Sequence, residues 1–197
     1  MSSTRQSSNL LLITDRYPHN ADPVSASFVY LQVDELKKYF NYIYVISLNP
    51  FIPKFLSKFS FMNPRWQKDA FAKDYNYDNV EVRFVKYFML PFDFLRKRKG
   101  YFAYVATKNL RKLIEQGEIE FNLIHAHTTL PSGYVGAKFK ELYKKQLIIT
   151  IHEQQDQFSK AILSMDKRLL YSWCSADKII RVNKIDLREC IYSPFIT

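Results

Sequence analysis

Short apolar runs alternate along this chain with longer stretches in which apolar residues return every three or four positions. Residues 10–14 (LLLIT) form a continuous apolar run, as expected of a strand covered on both faces. A polar, proline-bounded loop follows over 15–25. Phe28, Leu31, Val33, Leu36 and Phe40 then recur at spacings that predict an amphipathic helix, with Ser25 or Ser27 as its cap. Residues 42–48 (YIYVISL) are β-branched and aromatic, and 80–85 (VEVRFV) alternate, so each predicts a strand. Beyond Gly100 the order is clearest. A helix is expected over 101–116, stopped by Gly117, then a strand over 121–126, a helix over 132–145 and a strand over 147–151. A helix over 167–175, a strand over 178–182 and a last helix from about Lys184 complete the series.

Strand–helix alternation of this kind implies parallel strands joined by right-handed crossovers. The expected fold class is α/β, a single Rossmann-like doubly wound, mainly parallel sheet of six or seven strands. Residues 1–9 are read as a flexible polar tail and 10–197 as one domain. In such sheets ligands bind beyond the carboxyl ends of the strands, near the point where strand order reverses. That rule singles out the loops after Thr14, Ala126 and Ile151.

Composition narrows the class. The 197 residues carry 29 Lys and Arg against 19 Asp and Glu, a net charge of +10, which attracts polyanions without choosing among them. With 14 Tyr and 16 Phe the chain has the makings of a base-stacking surface, but no RNA- or DNA-binding signature accompanies them, so no nucleic-acid partner is expected. Residues 51–66 and 87–99 mix aromatics with Lys and Arg, the second ending in the basic run 96–99 (RKRK). If 51–62 were helical, Phe51, Phe55, Leu56, Phe59 and Met62 would share a face edged by Lys54 and Lys58, a pattern suited to an anionic membrane surface. The first nine residues are no secretory signal, and no apolar run reaches the roughly 18 residues of a membrane span. Cys174 and Cys190 match no zinc spacing and read as buried free thiols of a reducing compartment. The expectation is a cytoplasmic protein, either soluble or peripheral at the inner face of the membrane, with no bound metal.

The chemistry lies at the strand ends. The dinucleotide fingerprint G-x-G-x-x-G is absent. Three of the four histidines, His125, His127 and His152, stand where strands end. His125 is assigned to the opposite face of its extended segment and hence to a structural role.

These residues carry a resemblance. Tyr17-Pro18, then Phe28-Val29 with Gln32 and Leu36, resemble the opening of family-4 glycosyltransferases. FNLIHAHTTLPSGYVGAKF is similar to that family's D-x-I-H-A-H segment and glycine-containing helix. LIITIHEQQD and SADKIIRVNKIDLREC resemble two further segments in the same order. Ala26 stands where the family has a loop glycine, Glu153 replaces the glycine after His152, and Gln155 falls at the family aspartate.

The resemblance implies the N-terminal, acceptor-side domain of a two-domain GT-B enzyme, which transfers a sugar from a nucleotide-sugar donor to a glycan or lipid-linked acceptor. It implies His152 as the principal catalytic cleft residue and His127 as a polar wall of the acceptor pocket. Asp15, Ser25 and Ser27 would contact acceptor hydroxyls, although helix or turn capping explains all three as well. The family's E-x7-E segment has no counterpart before Thr197, so the C-terminal donor-binding domain is expected to be absent and the chain inactive alone. No cofactor is implied, because the nucleotide sugar is a substrate. The competing reading is a non-catalytic Rossmann-like module that binds a glycan or an anionic lipid.

Overall fold

The computed structural model describes residues 8–51, 71–89, 98–152 and 166–182. Among these, seven strands form one sheet: β1 (Asn9–Thr14), β2 (Tyr42–Phe51), β3 (Tyr75–Tyr77), β4 (Val80–Phe88), β5 (Leu123–His127), β6 (Gln146–Ile151) and β7 (Lys178–Arg181). Their spatial order is β3-β4-β2-β1-β5-β6-β7. All neighbours are parallel except the antiparallel pair β3 and β4. Five α-helices accompany them: α1 (Ser27–Leu36), α2 (Lys99–Ala106), α3 (Lys108–Glu115), α4 (Tyr134–Tyr143) and α5 (Lys167–Ser175).

The central strand explains the layering. Along β1, Leu10 and Leu12 pack with Val29 and Val33 of α1, while Leu11 and Ile13 join the larger cluster under α2, α3 and α4. Every residue of β1 after Asn9 is buried, the double coverage that a continuous apolar run anticipates. Truncating a side chain such as Leu12 to alanine costs about 2–5 kcal/mol. On the second face α4 lies close to the sheet at Gly136, where an added Cβ would meet Leu147 Cδ1 at 2.9 Å.

Strand order reverses between β1 and β5. The chain leaves β1 toward β2 and β4, then returns to build β5, β6 and β7 on the other side. Their carboxyl ends flank the crevice in which such sheets hold ligands.

Several expectations are corrected. Asn9 belongs to β1, not to the tail: its amide donates to Asn122 Oδ1 at 2.9 Å and its side chain to the Glu120 carbonyl. β3 was not anticipated, being three residues of antiparallel edge strand. The helix expected over 101–116 is two helices, interrupted at Thr107, whose hydroxyl donates to the Tyr104 carbonyl at 2.6 Å. α4 begins at Tyr134, after a wide turn over Thr129–Gly133. α1 buries Val29 and Val33, whereas Phe28 and Leu31 are 51% and 63% exposed. Its N-cap is Ala26, with no side-chain cap, so neither Ser25 nor Ser27 closes the helix. Cys174 is exposed rather than buried. Phe51 ends β2 and Lys99 opens α2; the rest of the basic aromatic segment over 52–66, residues 96–97, Cys190 and the helix near Lys184 lie outside the described residues. No helix among the described residues is long and apolar enough to cross a membrane.

Candidate functional site

Register brings the histidines together. β5 pairs with β6 so that His125 lies opposite Ile148 and His127 opposite Thr150. Side chains two apart on a strand share a face, so His125, His127, Thr150 and, just past β6, His152 all project to the α1 side. The assignment of His125 to the opposite face is therefore wrong. Its ring centroid lies 4.5 Å from that of His127, and its Nε2 is 2.8 Å from Thr150 Oγ1.

The three imidazoles make a row across the crevice. His127 Nδ1 is 2.9 Å from His152 Nε2, with the two rings near-parallel at 16°. Phe28, the second residue of α1, packs on His152 at a centroid separation of 4.7 Å. That contact explains why an aromatic on the outward side of α1 is only half exposed. His152 is intermediate in burial, while His125 and His127 are 6% and 1% exposed.

Burial also sets the charge. Desolvation, with His152 nearby, pushes the His125 imidazole down to about 4. Desolvation pushes His127 down further, to about 2, with His125 and His152 adding to the effect. Both are neutral at physiological pH. His127 Nε2 is buried without a hydrogen-bond partner. Adjacent rings bonded through one nitrogen each do not converge on a common point, and no group of three His, Cys, Asp or Glu among the described residues is arranged to hold a metal.

Two turns border the row. After β1, Thr14 donates its hydroxyl to the Arg16 carbonyl at 2.9 Å, and Asp15 follows half-buried. The loop then runs to Ala26, which adopts φ 48 and ψ 44. The family glycine is thus replaced by an alanine that keeps the left-handed conformation a glycine favours. Ser25 is half-buried and Ser27 exposed; Phe28 is the residue through which this turn reaches His152. After β5, Thr128 adopts φ 75 and ψ 153, a region almost reserved for glycine. Its Oγ1 and Ser132 Oγ are buried without partners. The Trp173 indole N–H of α5 donates to Thr129 Oγ1 at 3.1 Å and ties this turn to the rest of the domain.

Sequence reasoning missed Phe28 as a site neighbour, since its spacing read as a core position of α1. It also missed Thr128 and Ser132. Nothing in the residue pattern marks them, because what distinguishes them is a backbone angle and unmet hydroxyls. Volume does not mark the site either. Depressions of about 320 and 300 Å3 flank Asp74 and Arg83 near β3 and β4, and no histidine lines them. The chemistry concentrated at the strand-order reversal is the better guide.

Comparison with known proteins identifies the family. The profile of Glycosyltransferase Family 4 matches residues 64–189, well over half of the chain. That span includes His125, His127 and His152 and excludes Asp15, Ser25 and Ser27. Among solved structures, Arabidopsis thaliana UGT89C1 complexed with UDP is similar at a TM-score of 0.55 and 10% identity, over 93% of this chain and 47% of that one. The likeness is one of fold. The N-terminal domain of Candida albicans trehalose-6-phosphate phosphatase gives a TM-score of 0.48 at 15% identity, over 91% of this chain and 41% of that one, too distant to carry an argument. The chain thus spans under half the length of either. No curated protein matches it significantly.

Proposed function

The chain belongs to glycosyltransferase family 4, and from that premise we propose that it forms the acceptor side of a cleft where a sugar passes from a nucleotide sugar to a glycan or lipid-linked acceptor. The observation that carries this reading is the histidine row at the strand-order reversal, inside the span matched by the family. His152 is the cleft residue, because it is the outermost imidazole of the row. It donates a hydrogen bond to the donor sugar or to a reacting group. Asp15, Ser25 and Ser27, on the turn that reaches the row through Phe28, meet acceptor hydroxyls. His127, 1% exposed, stands behind His152 rather than on the cleft wall.

Sugar transfer also requires stabilisation of the departing nucleotide diphosphate. In this reading a second domain supplies that, and the 197 residues alone are inactive. Coverage of only 47% of the UGT89C1 chain complexed with UDP supports the division. The basic aromatic segment over 51–66 and the basic run over 96–99 hold the cleft against an anionic membrane at its cytoplasmic face, within reach of a lipid-linked acceptor. Flotation with anionic vesicles at low salt tests that part, and a chain that stays unbound contradicts it.

The principal test uses the enzyme with its donor-binding half present. His152→Ala is expected to lower kcat on the order of 10²-fold, the loss typical of a hydrogen-bond donor to a developing charge, while leaving thermal unfolding unchanged. Wild-type kinetics in that variant would remove His152 from the site. Turnover of a nucleotide sugar by the 197-residue chain alone would contradict the two-domain reading.

A further inference from the structure

His127 is buried too deeply to meet a ligand unless the domain opens, yet it holds the most exposed imidazole of the row. Its Nδ1 lies 2.9 Å from His152 Nε2. Its other nitrogen, Nε2, is buried with no partner. A neutral imidazole carries one N–H, so the bond between the two rings runs in one of two directions. If His152 donated, the His127 proton would sit on Nε2 as a buried N–H with no acceptor. If His127 donates from Nδ1, only a lone pair on Nε2 is left unmet. Stranded buried N–H groups are the rarer defect in folded proteins, which favours the second direction.

We propose that His127 is a positioning residue: it donates from Nδ1 to His152 Nε2 and holds the His152 ring as its Nδ1–H tautomer. The consequence is chemical. The nitrogen of His152 that His127 does not engage carries the proton, so it meets any partner as a donor and not as an acceptor. A neutral imidazole behind it offers none of the charge that a carboxylate gives to a histidine acting as a base. His152 therefore works by donating a hydrogen bond rather than by removing a proton. His125, bonded to Thr150 and packed on His127 at 4.5 Å, fixes the second ring in turn. Phe28 covers the outer ring from the α1 side.

This inference deepens the role given to His152 above, and its test reads imidazole protons without requiring sugar transfer. In ¹⁵N-histidine NMR of the full 197-residue chain at alkaline pH, one-bond N–H signals are expected on Nδ1 of both His127 and His152, and on Nε2 of neither. His127→Phe keeps the bulk and removes the donor, so His152 is expected to lose its Nδ1–H signal and take the Nε2–H form that free imidazole side chains favour. Wild-type His152 found as Nε2–H overturns the proposal, as does a folded His127→Phe chain in which His152 remains Nδ1–H. Should the phenylalanine variant fail to fold, His127→Asn places an amide donor at the same position. Retention of Nδ1–H on His152 is then the expected result, and its loss the refutation. Absence of sugar transfer in the complete enzyme would leave these signals untouched, so the two readings fail separately.

Discussion

The two turns that border the histidine row both contain a non-glycine residue at positive φ, but they sustain it under opposite conditions. The turn before α1 is open: Ser25 is half-buried, Ser27 is exposed, and Ala26 at φ 48 carries only a methyl group. The turn after β5 is closed. Thr129, Pro131, Ser132 and Gly133 are buried, and Thr128 holds φ 75 with a β-branched side chain. Polar groups in the first turn are open to solvent. In the second, packing must impose what the backbone resists, and the tie from Trp173 to Thr129 is part of that packing. Strain held by surrounding structure is commonly a mark of pre-organisation. Here it adjoins His127, so the closed turn is the rigid side of the site and the open turn the adaptable one.

The largest expected effect separates the two sides by pH. Unfolded histidine takes up a proton near 6.5, whereas folded His125 does so near 4 and His127 near 2. Between those values the unfolded chain binds more protons, so stability is fully present above pH 6.5 and is lost as pH falls toward the folded values. From pH 6.5 to 5, above the carboxylate range, each neutral buried histidine contributes a loss of up to about 2 kcal/mol. Urea unfolding at pH 7 and pH 5 measures it. His127→Asn is expected to remove about half of the pH slope; an unchanged slope would place the acid sensitivity elsewhere.

Next comes the packing that enforces the closed turn. A Cβ at Gly133 would stand 3.1 Å from the Thr128 carbonyl oxygen and 3.2 Å from Ile149 Cδ1. Neither can retreat easily, since one is backbone and the other lies in the core. Gly133→Ala is expected to destabilise by about 1–3 kcal/mol, the usual cost of overpacking, measured as a lower urea midpoint. A neutral outcome would mean that the turn is looser than its burial indicates. Thr128→Gly should act the other way. Relief of about 1–3 kcal/mol of backbone strain exceeds the roughly 0.5–1 kcal/mol that glycine loses in chain entropy. The variant is expected to raise the unfolding midpoint while broadening the imidazole signals of His127.

These effects sit where sequence reading ran out. The alternation of strands and helices after Gly100 was legible because strands covered on both faces read as unbroken apolar runs, as in LLLIT and LIITI. Their carboxyl ends then followed from the parallel order, and with them the place of the three histidines. The partnership within the row was not legible. It depends on the register that sets His127 opposite Thr150, and on a contact spanning 25 residues. The face of His125 was misjudged, although its spacing of two from His127 already fixed it. β3 escaped because three residues of edge strand carry too little pattern. The break at Thr107 escaped because no glycine or proline announces it.

The smallest effect tests the open turn by itself. Ala26 occupies the left-handed region, which costs an L-residue roughly 1–2 kcal/mol, and glycine removes that cost at an entropic penalty of about 0.5–1 kcal/mol. Ala26→Gly is therefore expected to stabilise the domain by about 0.5 kcal/mol, less than Thr128→Gly, because alanine at φ 48 is nearer an allowed minimum than threonine at φ 75 and ψ 153. No cap is lost with the change, since the helix it begins makes no side-chain cap at that end. A substantial destabilisation would show that the methyl group of Ala26, counted among the partly buried neighbours of the α1-side core, packs more tightly than an adaptable turn allows. The distinction between a rigid and an adaptable side of the site would then have to be abandoned.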